Sequence, residues 1–174
     1  MYTFNNTQKI LNYFLENPFK EFHVREIARL SKLSPSGSLK ILKKLESKRF
    51  ITKEKTQIKD NYKANCETNI FLSLKLAHNI YLIKSSGVVD YIDDKCVPEA
   101  IVLFGSYSRG DNHSESDIDI AVFKARKKNM DLSHFEMKLN REINISFLDD
   151  IKKNPELSNN IINGLTLKGY VKVL

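Results

Sequence analysis

Apolar residues at helical spacing open the chain. Ile10, Leu11, Phe14 and Leu15 follow Asn6 and Thr7, either of which can cap a helix, and Pro18 closes the stretch. A second short helix is expected from about Val24 to Leu30, with Val24, Ile27 and Ala28 on one face. The Ser31-Lys32-Leu33 turn leads to Ser34-Pro35, a cap residue followed by proline at the first helical position. The third helix then runs to about Lys48. Alternation over 50–56, turn residues Lys59-Asp60-Asn61 and a return over 62–65 predict a β-hairpin. Ile70, Phe71, Leu74, Ala77, Ile80 and Tyr81 give a helix over 68–84, which Ser85-Ser86-Gly87 breaks before a short helix from Val88.

The second half has a different rhythm. Ala100–Phe104 is an unbroken apolar run, as in a strand buried on both faces. Gly105-Ser106 ends it, Tyr107–Gly110 starts a helix or turn, and Asp117–Phe123 is an alternating strand. A helix over 131–139 and a strand over 141–147 follow. Short helices are expected around Asp149-Asp150, where the acids act as caps, and over 155–163; residues 170–173 read as a final edge strand. The expected class is α+β: an N-terminal domain over 1–67, a helical connector over 68–96 and a small mixed-sheet domain over 97–174.

Composition narrows the function classes. At 174 residues and 41% hydrophobic content the chain can bury packed cores. No apolar run approaches the roughly 18 residues that span a bilayer, and MYTFNNTQKI lacks the pattern of a signal peptide, so a cytoplasmic protein is expected. Cys66 and Cys96 have no metal-ligand spacing and are read as reduced and structural. Charge is unevenly placed. Residues 1–64 hold 14 Lys/Arg against 6 Asp/Glu, a net of +8, whereas residues 65–174 hold 14 against 15, a net of −1. The excess cation therefore sits where a polyanion would be met.

The third helix carries much of it. Ile41, Leu42 and Leu45, with Leu39 at the margin, form its apolar face, and Ser36, Lys40, Lys43, Lys44 and Ser47 lie opposite. Helix, short helix, tight turn and basic amphipathic helix is the order of a helix-turn-helix, whose last helix enters the major groove. With the hairpin added, the segment VREIARLSKLSPSGSLKILKKLESKRFI resembles winged-helix DNA-binding domains. The resemblance implies double-stranded DNA as partner, met by Ser36, Lys40, Lys43, Lys44 and Ser47 and by Lys53, Lys55 and Lys59 of the hairpin. Arg49 stands where glycine commonly ends the recognition helix, which suggests a different helix exit. An apolar face on the 68–84 helix is compatible with a homodimer.

Gly105-Ser106, ten residues, then Asp117-Ile118-Asp119 is the strongest chemical signal in the chain. No GxxxxGK[ST] occurs, so a Walker-type loop is excluded. The run LFGSYSRGDNHSESDIDIAVF resembles the minimal nucleotidyltransferases, a branch of the DNA polymerase beta superfamily. In a strand Asp117 and Asp119 project to one face, where two carboxylates can hold Mg²⁺ or Mn²⁺ together with substrate phosphates. Gly105 lets backbone approach a phosphate, Ser106 supplies a hydroxyl at a helix start, and Arg109 supplies a cation to the triphosphate. The superfamily places a third carboxylate on a neighbouring strand between apolar residues. Here that position is Asn144, between Ile143 and Ile145, with Glu142 one pleat repeat away as the substitute acid.

The resemblance implies transfer of a nucleoside monophosphate, AMP from ATP or the equivalent from another triphosphate, to an acceptor. Members of the family modify a partner toxin, often a HEPN-type ribonuclease. Two rivals stand beside this: a DNA-binding regulator whose degenerate second domain senses nucleotide, and an enzyme that extends RNA ends.

Overall fold

The computed structural model describes residues 5–55, 60–149 and 155–172, and the chain divides between Lys75 and Leu76 into two compact units.

In the first unit α1 (Asn6–Glu16), β1 (Phe22–His23), α2 (Val24–Ser31), α3 (Pro35–Ser47), β2 (Ile51–Lys55) and β3 (Asp60–Ala64) follow one another. A capping box starts α1: Asn5 Oδ1 accepts from Gln8 N and Gln8 Oε1 accepts from Asn5 N, both at 2.9 Å. Ser34 Oγ accepts from Gly37 N at 3.1 Å and Pro35 occupies the first turn, so α3 begins where its sequence signals predict. The three strands form an antiparallel sheet in the order β1-β3-β2. Its core gathers Phe14, Phe22, Ile27, Leu42, Leu45, Ile51 and Tyr62. The start of α4 (Asn69–Ser86) adds Phe71, and the buried Lys75 Nζ donates to Leu15 O at 2.6 Å.

Arg49 corrects one expectation. Its φ of 62° is left-handed, Arg49 N donates to Glu46 O at 2.8 Å and Phe50 N donates to Leu45 O at 3.1 Å. That is the exit a glycine would make, so arginine adopts the usual helix stop and carries its strain.

The second unit contains the rest of α4, then α5 (Val88–Cys96), β4 (Ala100–Phe104), α6 (Gly105–Arg109), β5 (Ile118–Phe123), α7 (Ser133–Leu139), β6 (Ile143–Leu148), α8 (Pro155–Ile162) and β7 (Leu165–Gly169). The sheet order is β6-β5-β4-β7; β5 and β6 are parallel and the other pairs antiparallel. All five residues of β4 are buried because both sheet faces are covered. Ile101, Leu103, Ile118, Ile120 and Ile143 pack on one side with Val88, Val89 and Ile92 of α5. Ala100, Val102, Phe104, Ala121 and Phe123 pack on the other with Ile161 of α8. β5 is thus less alternating than its sequence suggests: beyond Asp119 every residue is buried.

The end of the chain also differs. The last strand is Leu165–Gly169, and residues 170–172 lie outside it. Asp149 caps no helix among the described residues; it lies 3.8 Å from Lys127 Nζ, and Asp150 and Val173 fall outside the described residues.

Candidate active site

The expected chemistry converges at one end of the four-stranded sheet. β4 delivers Phe104, whose Cα partner across the antiparallel pair is Asp119, and the chain then turns at Gly105 with φ 71°. An ideal Cβ on residue 105 would stand 2.4 Å from Asp119 Oδ2. Glycine is required here for both reasons, backbone conformation and contact with the carboxylate. Ser106 is partly buried in the first turn of α6, where the leading N–H groups of a helix lack intrahelical acceptors. Ser108 Oγ donates to Gly105 O at 2.8 Å and ties the turn to the helix.

Asp117 is exposed just before β5 and Asp119 is half-buried within it. The parallel register sets Asn144 of β6 directly beside Asp119. Asn144 Nδ2 donates to Asp119 Oδ1 at 3.3 Å and to Asp117 Oδ2 at 3.4 Å. Both contacts are long, yet they show the amide seated between two carboxylates. Such a donor relieves their mutual repulsion without adding charge. Among the described residues no three His, Cys, Asp or Glu side chains gather as metal ligands. The oxygen set is therefore two carboxylates with an amide. It suits a hard divalent cation whose remaining positions are filled by substrate phosphates and water.

Glu142 lies before the start of β6 rather than in it. Its carbonyl accepts from Ile118 N at 2.9 Å, while its side chain borders an open cavity of about 450 Å³. Asp117, Glu115, Glu136 and Arg141 line the same cavity. The structure thus brings together Gly105, Asp117, Asp119 and Asn144, and sets Glu142 at their edge. Arg109 is exposed on α6, with Nε donating to Asp111 Oδ2 at 3.0 Å. Its guanidinium is held by a surface carboxylate.

Residues 87–168 match the family model described as Polymerase beta, Nucleotidyltransferase. This stretch of the C-terminal unit is similar to a nucleotidyltransferase domain. No curated protein matches the chain. The match supports nucleotidyl transfer as the general activity of this domain, and it spans α5, the Gly105 turn, both aspartates and Asn144.

Sequence reasoning missed one set of residues around this candidate site. Asn79 of α4, only 2% exposed, donates through Nδ2 to Tyr107 O at 3.0 Å and to Asn112 Oδ1 at 2.8 Å. Its partners lie 28 and 33 residues downstream, so no local pattern marks it.

In the first unit the expected polyanion-facing residues share one surface. Ser36, Lys40, Lys43, Lys44 and Ser47 are all exposed on α3, whereas Ser38, Leu42 and Leu45 are buried. Lys53 is engaged within its hairpin: Nζ lies 2.7 Å from Asp60 Oδ2, and that hydrogen bond holds its pKa above the ordinary lysine value. The Lys55 side chain and Lys59 lie outside the described residues. No helix among the described residues is long and apolar enough to cross a membrane.

Proposed function

We propose that the C-terminal domain transfers a nucleoside monophosphate, AMP from ATP, to an acceptor oxygen, and that the N-terminal unit is a winged helix that binds double-stranded DNA. The observation that carries the first part is the contact between the Gly105 turn and Asp119, with Asp117 and Asn144 beside them. Asp117 and Asp119 would hold Mg²⁺, with Asn144 able to turn its amide oxygen toward the same point. When bound, the ion supplies the positive charge that draws electrons from the phosphates.

The reaction balances as a substitution at phosphorus. The acceptor oxygen forms a bond to the α-phosphorus, the bond to the β-phosphate bridging oxygen breaks, and pyrophosphate leaves with the electron pair. The acceptor's proton passes to solvent or to a nearby carboxylate, for which exposed Glu142, two residues before Asn144, is the candidate. Gly105 and the α6 N-terminus offer backbone N–H groups to phosphate oxygens. In this reading the acceptor is a protein, such as a HEPN-type toxin, and the DNA site belongs to the pair's own regulation. The support for both is the family resemblance and the +8 net charge of residues 1–64.

A second reading follows from Asn144. With an amide where a carboxylate would complete the set, the domain binds Mg²⁺ and nucleotide without transfer and serves as a sensor for the DNA-binding unit. Pyrophosphate release separates the two. ATP and Mg²⁺ with a protein acceptor release pyrophosphate in wild type and not in Asp119→Ala if transfer is right. Absence of release from wild type that still binds ATP supports sensing.

A further inference from the structure

The geometry points to Asn79 as a positioning residue that fixes the segment between the Gly105 turn and Asp117. The inference rests on the reading of that site as a nucleotide site. Asn79 and Asn112 are a buried amide pair, 2% and 6% exposed, in a unit whose interior is otherwise largely apolar. Burial of two amides is unfavourable unless each is hydrogen-bonded, and a satisfied buried pair fixes one arrangement of its surroundings.

What the pair holds is specific. Asn79 Nδ2 reaches Tyr107 O inside α6 and Asn112 Oδ1 in the following loop. Between those anchors Gly110, in left-handed conformation, ends α6, and Gly110 N and Asp111 N both donate to Ser106 O at 3.0 and 3.2 Å. Beyond Asn112 a small turn delivers Asp117: His113 N donates to Ser116 Oγ at 2.9 Å and Ser116 N donates to His113 O at 3.2 Å. One side chain of α4 therefore grips both ends of the stretch from Tyr107 to Asn112. That stretch joins the phosphate-facing turn to the first metal-facing carboxylate. α6 spans only Gly105–Arg109, too short to hold its own position, and the loop after it contains no further regular element before β5. Asn79 touches neither carboxylate and acts through the chain it orders.

The test uses the full chain and reads local order separately from ligand binding. Amide hydrogen exchange is compared between wild type and Asn79→Ala in the absence of ligand. Faster exchange confined to about residues 106–117, with β4 and the centre of β5 unchanged, is the expected result. ATP·Mg²⁺ affinity, read by calorimetry, falls on the order of tenfold, because misplacement of binding groups costs more than the bond itself, and the melting temperature falls by several degrees, because Tyr107 O and Asn112 Oδ1 lose a buried donor. Asn112→Ala, which removes the other end of the grip, gives the same local pattern and serves if Asn79→Ala does not fold. Unchanged exchange in that segment overturns the inference. So does a uniform rise across the whole unit, which would make Asn79 an ordinary core residue. If wild type binds no ATP·Mg²⁺, the nucleotide reading of the site fails, while the exchange pattern still decides whether Asn79 orders the loop.

Discussion

Asp119 occupies the space that a side chain on residue 105 would fill, its Oδ2 standing 2.4 Å from an ideal Cβ there. The turn and the carboxylate share one volume, so a change at one reports on the other. Gly105→Ala also forces a left-handed alanine, which costs about 1–2 kcal/mol. The expected outcome is a modest drop in melting temperature and loss of most ATP·Mg²⁺ binding, checked by calorimetry and thermal unfolding. Full binding in the variant would separate the turn from the site.

Asn144 sits between the two aspartates as a neutral donor. Asn144→Asp places a third negative charge there. The apo protein should melt earlier through like-charge repulsion, and saturating Mg²⁺ should recover more stability than in wild type, since ligand charge count sets divalent affinity. Mn²⁺ affinity, followed by electron paramagnetic resonance, should tighten on the order of tenfold. Transfer activity should rise if the missing acid limits it.

The exposed lysines of α3 make a charge-based prediction. Lys40→Ala with Lys43→Ala should weaken binding to any double-stranded DNA and lower the salt slope of binding by about 2, roughly 1 for each phosphate contact removed. Fluorescence anisotropy across a salt series measures it. An unchanged slope would remove α3 from the interface.

Arg49 holds φ 62° at the exit of α3. Arg49→Gly relieves left-handed strain but frees the unfolded chain, leaving a net gain of about 0.5 kcal/mol. Slower amide exchange around Leu45–Phe50 would show it. A loss of stability would mean that the arginine side chain contributes more than its backbone conformation costs.

The parts of the site that the sequence made legible are those set by short-range rules. Gly105, Asp117 and Asp119 fall within 15 residues, and strand periodicity alone puts the two aspartates on one face. Asn144 was legible as the residue flanked by isoleucines, since parallel pairing with β5 keeps that alternation in register. Asn79 was not, because its partners come from a distant loop and asparagine in a helix carries no fixed meaning. The last strand was misplaced for a local reason. Leu165–Gly169 ends on a glycine and follows another, whereas 170–173 carries the plainer strand pattern. Glycines flank it because backbone from Leu103 and Glu99 approaches them closely. The exit at Arg49 keeps the left-handed geometry without glycine, and the hydrogen bond from Asn65 Nδ2 to Arg49 O at 3.1 Å, which no local pattern marks, helps to hold it.

The most direct test of nucleotidyl transfer is movement of label from α-labelled ATP, with Mg²⁺, onto the proposed class of acceptor, a HEPN-type toxin. The account predicts covalent label on the partner from wild type and none from Asp117→Ala. Wild type that binds ATP with Mg²⁺ yet leaves every acceptor unlabelled would contradict transfer and make nucleotide sensing the function of the domain.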